Sequence, residues 1–112
     1  MQVLDTKINK SDLLKNAHYV YNEEMVKGVV DVEKRLLAID GEMHADLEQM
    51  LLSQGSNQDN LWGINLYPDD EDDFIEFDSM VNIRPRQNNP SRSVENPEIQ
   101  KQIIEVVNQW IS

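Results

Sequence analysis

The apolar residues of this chain fall in short clusters whose spacing switches between strand-like alternation and helical periodicity. Val3 to Ile8 reads as a first short strand. Ser11 then stands as an N-cap with Asp12 in the first turn. Leu13, Leu14, Ala17, Val20 and Tyr21 follow at helical spacing, so the pattern predicts a helix ending near Glu24. From Met25 to Glu33, Val26, Val30 and Val32 share one face, with Gly28 between them, and Lys27, Asp31 and Glu33 take the other. A tight connection at Lys34-Arg35 leads into Leu36 to Glu42, and two strands this close predict an antiparallel hairpin.

Around Asp46 the period changes again. Leu47, Met50 and Leu51 are helically spaced, Asp46 is placed to cap them, and Gly55 is a natural stop. In Leu61 to Tyr67, Trp62, Ile64 and Leu66 share a face and Gly63, Asn65 and Tyr67 share the other. Pro68 ends that strand. Phe74 to Arg84 alternates in the same way and predicts a second hairpin. Pro85 to Glu95 is polar and irregular. Asn96-Pro97-Glu98 then combines a capping side chain, a proline at the first helical position and an acid in the first turn. The stripe Ile99, Ile103, Val106, Val107, Trp110 and Ile111 continues it as a helix. The order β-α-β-β-α-β-β-α predicts an α+β fold. It would be a single domain over residues 1–112, with one antiparallel sheet and about three helices packed on its apolar face.

Composition narrows the function classes. Cysteine is absent, which excludes disulfides, thiolate metal sites and Cys nucleophiles. Asp5, Lys7 and Lys10 interrupt any signal-peptide core, and no run of about 18 apolar residues offers a membrane span, so the cytoplasm is the expected compartment. The formal net charge is −11. Between Leu36 and Ile83 there is no Lys or Arg but twelve Asp and Glu. Nucleic acid and anionic membranes are not expected partners of such a segment, because both require cations on the protein. Cations, basic proteins or a second copy in a homodimer fit the charge better.

The strand alternation gathers Asp31, Glu33, Asp40, Glu42, Asn65, Tyr67, Glu76, Asp78, Asn82 and Arg84 on the face turned away from the helices. The plainer reading is a solvated outer face. A sharper one is a divalent-cation site. Asp40, Glu42 and His44 alternate along one predicted strand, with Asp46 within reach, and carboxylates with an imidazole suit Mn, Fe or Zn. His44 serves equally well as a residue that orients a turn, and His18 has no evident partner. The acidic run Asp69 to Asp78 lacks the glycine and glutamate positions of an EF-hand loop and reads as a solvated connection. Arg84, Arg86 and Arg92 stand in a polar segment where guanidinium groups can grip anions or neutralise nearby acids. Ser79 and Ser91 have no base nearby in sequence, and no Gly-rich phosphate loop occurs. Trp62 and Trp110 read as core anchors.

Four stretches carry a resemblance. They are Val29 to Lys34, Gly41-Glu42-Met43-His44-Ala45-Asp46, Leu61-Trp62-Gly63-Ile64-Asn65-Leu66-Tyr67-Pro68, and Glu76 to Pro85 with its Asn82-Ile83-Arg84-Pro85. Together they resemble one of the small bacterial families catalogued only as domains of unknown function. The resemblance implies a compact, bacterial, cytoplasmic protein of about this length and carries over no residue role or cofactor. On the residues alone, the first functional reading is a non-enzymatic binding or protein-interaction module. A second is a metal-dependent or acid–base enzyme for a small anionic substrate, with Glu42, His44 and Asp46 facing Arg84 and Arg86. A third is an acidic regulatory partner of a basic protein. The polar candidates are therefore Glu42, His44, Asp46, Asn65, Tyr67, Asp78, Asn82, Arg84, Arg86 and Arg92.

Overall fold

The computed structural model describes all 112 residues. It contains β1 (Gln2–Val3), α1 (Lys10–Asn16), β2 (Val26–Asp31), β3 (Leu36–Ile39), α2 (His44–Ser53), β4 (Leu61–Leu66), β5 (Ile75–Glu76) and α3 (Pro97–Trp110). Short 3-10 turns lie at Gln58–Asn60, Met80–Asn82 and Pro85–Gln87. The five strands form one sheet in the order β1-β3-β2-β4-β5, antiparallel throughout, so the fold is α+β. No helix is long and apolar enough to cross a membrane.

Register explains the larger core. Val30 lies opposite both Leu37 and Trp62, Val26 opposite Leu66, and Gly28 opposite both Ile39 and Ile64. These side chains pack with Leu13 of α1 and with Ile103, Val106 and Val107 of α3. Asn96 caps α3 by accepting from the Glu98 N–H, as its sequence signature predicts.

The second helix departs from expectation. Val29, Ala38 and Leu61 project from the opposite face of the same strands and pack with Leu47 and Leu51 of α2. Only α1 and α3 share the large apolar face, and α2 covers part of the face that the alternation marks as polar. The signal lay in those three apolar residues, one on each central strand.

Three boundaries also differ. The first helix stops at Asn16, not near Glu24, and its cap is Asn9, not Ser11. Ala17 already leaves helical geometry for an extended conformation (φ −73°, ψ 142°), and Asn22 and Glu23 adopt left-handed angles (φ 52° and 64°) further along. The first strand is confined to Gln2–Val3, and Ile8 instead makes a parallel bridge with Ile111. The predicted strand from Phe74 to Arg84 survives only as Ile75–Glu76.

Beyond Glu76 a side chain replaces the strand. The Asn82 Oδ1 accepts from the Gly63 N–H at 2.8 Å, and its Nδ2 donates to the Gly63 carbonyl at 2.9 Å and to the Arg92 carbonyl at 3.1 Å. One buried amide thus does the hydrogen bonding of a missing strand residue. Gly63 makes this possible, because a Cβ there would fall 2.6 Å from Ser79.

Candidate functional site

The N-terminal end of α2 crosses the polar side of β4 and leaves a cleft of about 540 Å³. Its polar lining comes from Lys27, His44, Asn65, Tyr67, Glu76, Asp78, Ser79 and Arg92, and Met25, Met43 and Met80 stand among its apolar residues. Of the residues singled out from sequence, the cleft gathers His44, Asn65, Tyr67, Asp78 and Arg92.

His44 is the first residue of α2, not part of a strand, because β3 ends at Ile39 and Asp40 turns the chain with φ 66°. Gly41 lets that turn close against α2: a Cβ at this position would meet the Leu47 side chain at 2.6 Å. The His44 Nε2–H donates to the Ile64 carbonyl at 2.9 Å. Burial pushes the imidazole below the ordinary histidine value. The Ile64 carbonyl, Asn65 and Asp78 oppose that shift and Lys27 adds to it. The ring is therefore neutral near pH 7 and presents Nδ1 as an acceptor.

Asn65 is 5% exposed. Its Nδ2 donates to Glu76 Oε1 at 2.8 Å and to the Asp78 carbonyl at 3.1 Å. Two acceptors on that nitrogen fix the amide orientation and leave Oδ1 buried with no partner. The Tyr67 hydroxyl also donates to Glu76 Oε1, at 3.1 Å. Burial first, and then the Glu76 carboxylate, raise the phenol above its usual value. Glu76 thus holds two neutral donors and no cationic partner.

The two cations of the cleft are already engaged. Arg92 Nε lies 2.7 Å from Asp78 Oδ1. Lys27 Nζ donates to the Glu42 carbonyl at 3.1 Å and sits 4.4 Å from the centre of the Tyr21 ring. Ser79, 1% exposed, accepts from the Val81 N–H at 3.2 Å.

The other candidates lie elsewhere. Asp40, Glu42 and His44 do not converge, and nowhere do three His, Asp or Glu stand close enough to hold a metal ion. Asp40 instead accepts from the His18 and Tyr19 N–H groups at 2.8 and 2.9 Å, and its Oδ2 lies 2.9 Å from His18 Nδ1. Burial alone would raise this carboxyl, but those bonds outweigh it and hold Asp40 below the usual range. His18 is therefore the partner of Asp40, pinning the chain that leaves α1. Glu42 and Asp46 are exposed.

Arg84 and Arg86 line a neighbouring hollow of about 480 Å³, which meets the His44 cleft only at Met80 and Val81. The Arg84 guanidinium donates to the carbonyls of Val81, Gln58 and Leu61, stacks 4.6 Å from the Trp62 ring and faces Glu48 at 3.7 Å. Burial lowers its pKa and Glu48 opposes the shift. It is a clamp between chain segments, and so is Asn82.

Sequence reasoning passed over Lys27, Glu76, Ser79 and the three methionines as site members. Lys27 and Glu76 alternate with the core residues of their strands and so belong to the polar face; only the position of α2 singles them out. The fold and the cleft together define a small α+β domain in which one helix half-covers the polar side of an antiparallel sheet. The chain belongs to the family described as Protein of unknown function (DUF5674), which it matches over residues 2–110. No curated protein and no solved structure matches it.

Proposed function

We propose that this protein is a small, cytoplasmic, single-domain binding module, and that the His44 cleft takes a small organic cation bearing hydrogen-bond donors. One observation carries the reading: the buried Asn65 Oδ1 has no partner, beside a Glu76 carboxylate that has only neutral donors. The groups the cleft presents are acceptors, namely the neutral His44 ring and Glu76, with the buried Asn65 Oδ1 behind them beside the ring. Arg92 is paired with the Asp78 carboxylate, and Lys27 donates to the Glu42 main-chain carbonyl. An ammonium or guanidinium supplies donors for these acceptors and a charge to pair with the Glu76 carboxylate. Met25, Met43 and Met80 offer a soft apolar rim for an attached hydrocarbon.

Ser79 is buried and accepts from the Val81 N–H, so its hydroxyl caps the Met80–Asn82 turn. The same acid-rich surface argues against nucleic acid as a partner. Titration calorimetry with n-butylammonium, and with acetate as the anionic counterpart, tests the reading. Butylammonium is expected to bind, and Glu76→Gln to abolish that binding without unfolding the protein. Binding of acetate in place of butylammonium would overturn it.

A further inference from the structure

The His44 cleft does not end at Glu76. Tyr67 and Glu76 also line a second hollow of about 350 Å³, shared with Glu24, Asp70 and Asp73. Tyr67, Glu24 and Asp70 line a third beyond it, bordered by Asp69, Glu71 and Asp72. Tyr67 borders all three, so the hollows adjoin one another around this one side chain. None of the acids on the outer part of this path pairs with a Lys, Arg or His. Asp70 is held in place by accepting from the Asp72 and Asp73 N–H groups through Oδ1.

We infer that the cleft and these hollows form one extended site for a linear aliphatic polyamine. This inference rests on the cation-binding reading of the cleft. One terminal ammonium meets Glu76 and the His44 ring in the cleft. The methylene chain crosses the Tyr67 ring, whose face also attracts a cation. The remaining ammonium groups lie among Glu24, Asp70 and Asp73. Charges spaced along a flexible chain match a path whose acceptors are separated by an aromatic ring. A compact cation of equal charge reaches only one end of it.

Calorimetry at fixed ionic strength with spermidine, n-butylammonium and hexaamminecobalt(III) separates the possibilities. Spermidine is expected to bind about tenfold more tightly than butylammonium, as two added, partly exposed ion pairs allow. The double substitution Glu24→Gln with Asp70→Asn is expected to remove most of that advantage and leave butylammonium binding unchanged. If butylammonium binds and spermidine binds no better, the extended site is overturned and the cleft reading stands. If hexaamminecobalt(III) matches spermidine, the acids are a diffuse field and the inference fails. If neither amine binds, the cleft reading itself fails.

Discussion

The two faces of the sheet are built from the same strands yet behave as different materials. On one face, 15 buried apolar residues interlock between the strands, α1 and α3. On the other, five buried apolar residues anchor α2, and the remaining area is polar. The first face is closed chiefly by hydrophobic burial, with hydrogen bonds such as Trp110 Nε1–H to the Arg35 carbonyl at its edge. The second is only partly covered, so hydrogen bonds must finish it, and where they fall short a cleft with an orphan acceptor remains. The lesson is that a strand residue's neighbours on the same face decide its role. Val29 and Asp31 share a face, yet Val29 packs under α2 while Asp31 accepts from Glu33, Lys34 and Ser56.

The largest expected effects lie on the closed face. Ile103→Ala is expected to cost about 3–4 kcal/mol in urea unfolding, because its tightly surrounded site cannot collapse around the cavity. Leu51→Ala, in the smaller cluster beneath an accessible helix, should cost about 2–3 kcal/mol. Equal losses would show that the two faces are equally rigid. Next comes the side-chain strand. Asn82→Ala strands the Gly63 N–H and carbonyl, and is expected to cost about 2–4 kcal/mol. Gly63→Ala, which crowds Ser79, should cost about 1–3 kcal/mol. A neutral result at both positions would remove the claim that the Asn82 amide completes β4.

A smaller effect follows from the polar face. The folded pKa of His44 lies below its unfolded value, with Lys27, Asn65 and Asp78 around it. Protons therefore bind more readily to the unfolded chain. The associated stability is fully present above about pH 6.5 and is lost as pH falls through the depressed folded value. His44→Gln is expected to flatten the pH dependence of the melting temperature in that window. Asp40 has the same sign at lower pH: its stability holds above about pH 4 and fades on further acidification. Asp40→Asn should remove that part of the acid transition.

The strands and helices that bury a full apolar stripe were legible in the sequence. β2, β4 and α3 match their predicted spans closely, because periodicity and capping agree there. The failures cluster where one polar side chain overrules periodicity. Asp40 captures the His18 and Tyr19 N–H groups where a longer helix was predicted. Asn82 takes over the edge of β4 where the alternation of Phe74 to Arg84 predicts a strand. Half of the polar candidates reached the cleft: alternation along β4 put Asn65 and Tyr67 on its face, whereas His44 comes from α2 and Asp78 and Arg92 from segments outside the strands. The divalent-metal set expected at Asp40, Glu42 and His44 is not assembled, because the strand meant to align it ends at Ile39. Arg84 could not be told from an anion binder, since its Gln58 and Leu61 carbonyl partners are remote in sequence.

The most direct test of the acceptor-lined cleft is nitrogen-detected NMR titration of the His44 ring, alone and with n-butylammonium. The expected result is the Nε2–H tautomer, a pKa below the ordinary histidine value, and a further fall when the amine binds beside the ring. An Nδ1–H tautomer, or a pKa that rises with the amine present, would contradict it.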